Sequence, residues 1–260
     1  MSPNLLAPLV RKLESRVTLY DEDRAAILAL PFRLQTTERE TYLVREGEQP
    51  ERACMLLSGF AFRQKVTSQG MRQIISLHIP GDFVDLQGVL LNLADHNVQA
   101  LTRCEFAIVA RNDIRALACT RPMVGLAMWT DTLIDASIFR EWVVNVGRRD
   151  AMTRIAHLLC ELARRMEAAG LADRLRYEMP MSQEQLADAT GLTPVHVNRM
   201  LRDLDRSGLI VRNHRTIVIR DWEGLSELAD FNENYLHLDQ LITEAARIRT
   251  GTVPAARMTS

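Results

Sequence analysis

Four side chains that can donate hydrogen bonds to an anionic polymer, His196, Asn198, Arg199 and Arg202, fall within seven residues. Arg212, His214 and Arg215 follow ten to thirteen positions after Arg202. An arginine fork can grip guanine O6 and N7 together, or a phosphate, and imidazole and amide groups can reach either. Arg199 is the candidate for the base contact, with His196 and Asn198 for base or phosphate contacts. Arg202, Arg212, His214 and Arg215 suit phosphates, which fix position without reading sequence. This is the chemistry of binding. Catalysis would need other sets, and the chain carries no His-x-His followed by Glu at metal-ligand spacing, no nucleophile motif and no glycine-rich phosphate loop. Neither a metal nor a cofactor is expected.

The surrounding residues say how these groups would be presented. Ser182 can N-cap a short helix, with Gln185 three residues on to complete a capping box, and Leu186 and Ala187 lie on its inner side. Gly191 stands where a tight interhelical turn needs positive φ. Thr193 can cap a second helix that has Pro194 at its first position, and Val197, Leu201 and Leu204 make the buried stripe. His196, Asn198, Arg199 and Arg202 are left pointing outward. Two strand-like runs, Leu209 to Val211 and Thr216 to Ile219, flank a turn at Asn213 and His214 and form a wing. A helical hairpin and a β-hairpin with no nucleic acid involved is the plainer alternative. The complete order, from cap to wing, is far more specific than its parts and favours double-stranded DNA as partner.

Composition fits a protein of one or two domains: 260 residues, 47% hydrophobic and 25% charged, with a net charge of −1. That balance hides a division. From Arg148 to Asp221, 13 Lys/Arg stand against 10 Asp/Glu, a net of +3; from Trp222 on, 3 stand against 6, a net of −3. The mild positive excess falls on the winged segment, as phosphate binding favours. No apolar run is long enough to span a membrane, and the first sixteen residues lack the features of a signal peptide, so a cytoplasmic protein is expected. Cys54, Cys104, Cys119 and Cys160 have no zinc or redox spacing and read as small hydrophobes, with a thiol sensor as the alternative.

Upstream, residues 1 to about 35 read as helical. From about Thr41 to Val109 the pattern changes to short strands, with Gly47, Gly59, Gly70 and Gly81 recurring at the turn spacing of an all-β unit. Ile79-Pro80-Gly81-Asp82 reads as a sharp turn entering another strand, and helical sequence resumes at Asn112 or Asp113. From about Arg121 to Arg148 runs one long helix. Leu126, Trp129, Leu133 and Ala136 make one apolar stripe, and Met128, Phe139, Trp142 and Val146 fall on another side. A helix apolar on two faces needs two partners: the β-unit, and for the first stripe the same helix of a second subunit, unless it is buried within one chain. A helix from Ala151 to Ala168 leads into the winged segment. The tail from Trp222 to about Arg249 reads as an amphipathic helix carrying Leu225, Leu228, Phe231, Leu238 and Leu241.

This order resembles the Crp/Fnr family of bacterial transcription regulators over about residues 20 to 221, most specifically in GEQPERACMLLSGFAF, IPGDFVD, TRIAHLLCELA and GLTPVHVNRMLRDLDRSGLI. The resemblance implies an α+β fold in four parts: a cyclic-nucleotide-binding-like β-roll with N-terminal helices (1–120), a long dimerisation helix (121–148), a winged helix-turn-helix (149–221) and a helical tail (222–260). It implies a homodimer on a two-fold symmetric DNA site, half-sites about one helical turn apart, with RNA polymerase as a further partner. In nucleotide-binding members a Gly-Glu pair and an Arg-Ser pair hold the ribose and cyclic phosphate. Here these fall on Asp85-Leu86 and His96-Asn97; Asp85 would repel a phosphate and Leu86 offers no hydrogen bond, which argues against cyclic AMP. The N-terminus has no cysteine for an iron–sulfur centre, and the haem-ligand positions hold Val84 and Leu86. The roll binds either an effector of unknown identity or none; an effector would sit between roll and long helix, near Asp85, Leu86, His96, Asn97, Leu126, Trp129 and Leu133. In the reading helix, the acidic residue of well-known relatives is replaced by Val195, while Arg199 matches the family's arginine. The alternatives are a ligand-binding or protein-interaction module that no longer reads DNA and, least favoured, an enzyme on a cupin-like barrel.

Overall fold

The computed structural model describes residues 4–173 and 175–238. Two short helices, α1 (Ala7–Glu14) and α2 (Asp21–Leu28), precede seven strands: β1 (Arg33–Thr37), β2 (Tyr42–Val44), β3 (Arg52–Ser58), β4 (Ala61–Val66), β5 (Arg72–His78), β6 (Asn97–Ala100) and β7 (Cys104–Ala110). The strands form two antiparallel sheets, ordered β1-β7-β3 and β2-β6-β4-β5. Alternation sends Cys54 and Leu56 of β3, with Phe106 and Ile108 of β7, into one core with Leu43, Ala61 and Val98 of the second sheet. Their neighbours Ala53, Met55, Ala107 and Val109 face a second cluster built on α1, α2 and the start of the long helix. Strands β3 and β7 are therefore buried on both faces, while the edge strand β1 stays largely exposed. Gly47, Gly59, Gly70 and Gly81 all have positive φ; at Gly59 a Cβ would come 2.3 Å from the Arg103 carbonyl, so only glycine closes that turn.

Two expectations about this half are corrected. Arg33–Thr37 is a strand, not the end of a helical region: its sequence RLQTT lacks apolar alternation because this edge strand, paired only with β7, buries just Thr37. After the Ile79–Asp82 turn no strand follows. Phe83 makes a lone bridge to Met55, and the chain enters a 3-10 turn at Leu86–Val89.

Helix α3 (Arg111–Thr120) leads to the long helix α4 (Pro122–Arg148), then α5 (Ala151–Ala168), capped by the Asp150 carboxylate on the amides of Met152 and Thr153. The rest is β8 (Arg176–Glu178), α6 (Gln183–Thr190), α7 (Pro194–Arg206), β9 (Ile210–Asn213), β10 (Thr216–Ile219) and α8 (Trp222–Leu228). β8, β10 and β9 make a small antiparallel sheet. The core of this half is continuous with Phe62, Ile74, Leu77 and Leu101 on the outer face of the roll's second sheet. Ion pairing reinforces the junction: Arg72 of β5 lies 2.6 Å from Asp188 of α6, and Arg165 of α5 donates to the Leu77 carbonyl at 2.7 Å.

The tail is also corrected. Helix α8 ends at Leu228, Asp230 takes φ +49, and a 3-10 turn follows at Glu233–Leu236. Folding back sets Phe231 edge-on and Tyr235 stacked against His157 of α5, at 5.3 and 5.8 Å. Leu241 and the rest of the expected tail helix lie outside the described residues.

Candidate nucleic-acid interface

Local chemistry assembles the helix pair. Ser182 accepts the amide of Gln185 at 3.2 Å while the Gln185 side chain accepts the Ser182 amide at 2.8 Å, closing the capping box of α6. Gly191 ends α6 at φ +65, with Val146 and Arg154 against the space a side chain would take. Thr193 accepts the His196 amide at 3.3 Å and Pro194 opens α7. Val197, Met200, Leu201 and Leu204 are buried, so the helix can turn only its other side outward.

On that outer side His196, Arg199 and Arg202 are exposed. Val195 is 78% exposed, so it does not pack and is free to meet a thymine methyl. Asn198 departs from the expectation of an outward residue: it is half-buried and its amide donates to Gln183 at 3.0 Å, tying the two helices together. The wing turn is His214–Arg215, one residue later than expected, because Asn213 is still paired with Thr216. His214 is exposed at φ +53, a conformation a tight hairpin imposes, and Arg212 is half-buried. Arg215 is exposed, and its guanidinium donates from Nε and Nη2 to the carbonyls of Met179 and Pro180, anchoring the wing to the segment before α6. The third strand of the wing sheet, β8, was missed by sequence reasoning; Tyr177, flanked by polar residues, was the faint signal.

Residues 153–228 match the family description "Crp-like helix-turn-helix domain", and residues 34–120 match "Cyclic nucleotide-binding domain". The chain is 28% identical over 191 residues to "Transcriptional activator protein FnrL" of Cereibacter sphaeroides, covering 72% of this chain and 76% of that protein. It is 26% identical over 192 residues to "Nitrogen fixation regulation protein FixK" of Azorhizobium caulinodans, covering 73% and 76%. The structure of FixK2 from Bradyrhizobium japonicum superposes with a TM-score of 0.70 at 26% identity, over 76% of this chain and 98% of that one. The chain belongs to the Crp/Fnr family. It is a DNA-binding transcription regulator and not an enzyme.

Elsewhere in this Crp/Fnr regulator, the residues expected to form an effector pocket are not brought together. A cleft of about 710 Å³ does lie between roll and long helix, and Leu86 lines it, but the face α4 turns to it carries Asp131, Ile134, Asp135 and Ile138. Trp129 and Leu133, 66% and 54% exposed, look elsewhere, and Leu126 and Ala136 are half-buried on their stripe. On the other side expected of α4, Met128 and Trp142 are buried, Val146 is half-buried and Phe139 is exposed. Asp85 lines a separate cavity of about 250 Å³. His96 is buried with Nδ1 on Asp95 at 2.6 Å, and Asn97 accepts the Glu46 amide at 3.1 Å. The reason is helical phase: residues 131, 134, 135 and 138 share one side of α4, and 126, 129, 133 and 136 another.

The cleft is an ionic junction. Lys12 of α1 pairs with Asp82 and Asp131, Arg16 meets Asp131 at 3.1 Å, Arg63 meets Asp135 at 2.7 Å, and Arg165 of α5 stands 3.6 Å from Asp82. Burial alone would raise the Asp82 carboxyl, but Lys12, His78 and Arg165 hold it far below the usual range. Lys12 of α1 and Arg165 of α5, far apart in sequence, thus meet at one carboxylate. Among the described residues no group of three His, Cys, Asp or Glu side chains could hold a metal, and no helix is long and apolar enough to cross a membrane.

Proposed function

We propose that this regulator acts as a homodimer on a two-fold symmetric DNA site, with one α7 in each of two successive major grooves. The reading divides the chain into a β-roll sensor (1–120), a dimer helix (121–148), a winged helix-turn-helix (149–221) and a tail (222–260). Arg199 reads a guanine; His196, Arg202, Arg212 and His214 position the phosphates. Ser182 and Thr193 serve the interface by capping the two helices, and Asn198 by joining them. The observation that carries the reading is the pairing of two surfaces: the exposed cations of α7, and the stripe of α4 on which Trp129 and Leu133 are exposed and Leu126 and Ala136 half-buried, at the 3–4–3 spacing of a coiled-coil seam. A lone chain has no use for that seam, and a two-fold site needs two chains.

The sensor takes an effector other than cyclic AMP, since a buried carboxylate occupies the region where an anion would have to sit. The protein works in the cytoplasm, where DNA and RNA polymerase are its partners. Selection of bound fragments from sheared genomic DNA, with purified protein and a salt series, tests this reading. A palindromic motif is the expected result, with preference at one guanine per half-site lost in Arg199→Ala. Recovery of fragments with no shared motif, in buffer and in cell extract alike, would overturn it.

A further inference from the structure

Buried carboxylates in this protein are held by donors. Glu161, fully buried, accepts from the indole of Trp142 at 3.0 Å, the hydroxyl of Tyr235 at 2.9 Å and the guanidinium of Arg165 at 3.2 Å. Asp82 has Lys12, the amide of Ile79 and Arg165 around it. Asp85 has no such set. It is 2% exposed, yet neither carboxylate oxygen has a hydrogen-bond partner. His96 stands 3.8 Å from Oδ1, beyond hydrogen-bond reach, with its own Nε2 unpartnered. A buried carboxylate without donors is strongly disfavoured, and such an exception calls for a ligand, an ion or a role.

The surroundings say which. Asp85 lines a cavity of about 250 Å³ whose lining is mixed: Leu43, Cys54 and Ala94 give it an apolar side, and Gln49 and charged residues make up the rest. Glu48 and Glu51 stand exposed at its edge beside Arg52, so three carboxylates face one guanidinium there. Gly88 leaves the carboxylate its space: a Cβ there would come 2.6 Å from Oδ2. A buried carboxylate without donors, an apolar side at Leu43, Cys54 and Ala94 and a volume below the roughly 300–1,000 Å³ of drug-sized pockets suit a small cation that carries both N–H donors and a short hydrocarbon. A bare metal ion would need several oxygen ligands, and the buried wall offers one carboxylate.

We propose that this cavity binds a small alkylammonium ion, its N–H groups taken by Asp85. The proposal rests on the reading of the β-roll as the effector domain and names the class of effector. It also supplies a route to the rest of the molecule. The carbonyl of Val84, next to Asp85, accepts from Arg63 at 3.2 Å, and Arg63 is the partner of Asp135 on α4. A ligand at Asp85 therefore sits one residue from a chain of contacts to the long helix.

Thermal unfolding of the full chain tests the site. Ethylammonium chloride at about ten times its Kd is expected to raise Tm by roughly 3–5 °C, while tetramethylammonium chloride and potassium chloride at equal ionic strength do not. Asp85→Asn is expected to lose the response while keeping a folded circular dichroism spectrum. An equal shift with tetramethylammonium, a response carried by potassium and not by ethylammonium, or a response retained in Asp85→Asn overturns the proposal. The three salts are compared on the native sequence, so the result decides even where the variant does not fold. Affinity for the selected DNA site is measured alongside. Sequence-specific binding without an ammonium response removes this site alone; an ammonium response without sequence-specific binding leaves the site and removes the dimeric DNA-reading model.

Discussion

The winged half and the β-roll half handle charge in opposite ways. Around α7, His196, Arg199 and Arg202 stand exposed with their donors free for another molecule. In the roll and the helices packed on it, Lys12, Arg63, Asp82, Asp85 and Asp135 are drawn inward, and most are answered by a partner tens of residues away in sequence. A surface built to meet DNA keeps its charges unspent and pre-positioned by caps. A domain built to hold or transmit a state locks its charges to one another, which makes the rare unanswered group, Asp85, the informative one.

The comparison can be broken first at the helix between the two halves. Leu133→Asp places an unpaired charge in the proposed seam, where about 3–5 kcal/mol is at stake. Sedimentation should show a monomer, and affinity for a two-fold site should fall roughly 100-fold or more, with the fold intact by circular dichroism; a dimer that persists would remove α4 from the interface. Next in size is Arg199→Ala, expected to cost about 1–3 kcal/mol and to relax preference at one base pair. A uniform loss on all sequences would make Arg199 a phosphate contact instead.

A pH profile sharpens the contrast from the inside. Burial and then Arg149 pull His157 down to about 3, despite Glu141 at 3.3 Å. Because the folded value lies below the unfolded value of about 6.5, its neutral form stabilises the fold above that pH. The contribution is lost as pH falls from about 6.5 toward 3, to the extent of about 2 kcal/mol between pH 7 and pH 5. Chemical denaturation of His157→Gln against the native sequence should show a flatter acid limb; parallel limbs would mean that His157 does not control it. The smallest effects separate two arginines of the same segment. Arg202→Ala should reduce the salt slope of DNA binding by about 1 and leave Tm alone. Arg215→Ala, losing its bonds to Met179 and Pro180, should instead lower stability by about 1 kcal/mol with the slope nearly unchanged.

The helix-turn-helix was legible because its causes are local. Ser182 with Gln185, Gly191, and Thr193 with Pro194 each fix backbone within a few residues, and the 3.6-residue period then decides which side chains face out. The misreadings share a different cause. Asn198 carries the right chemistry for DNA, but Gln183, brought near by folding, takes its donor, and the Met179–Pro180 carbonyls take two donors of Arg215. β1 and β8 escaped notice because each is defined by pairing, with Thr37 beside Cys104 and Tyr177 beside Ile217, and not by a pattern of its own.

The sequence by itself determined the family order of roll, long helix and winged helix, the two caps, the glycine turns and the arginine of the reading helix, because those depend on neighbours along the chain. Only the tertiary structure decided which face of α4 meets the roll, which arginines remain free, and that Asp82 is ringed by cations while Asp85 has no donor. Those outcomes depend on which groups from distant segments arrive at the same few ångströms, and a buried charge is stable or not according to that arrival alone.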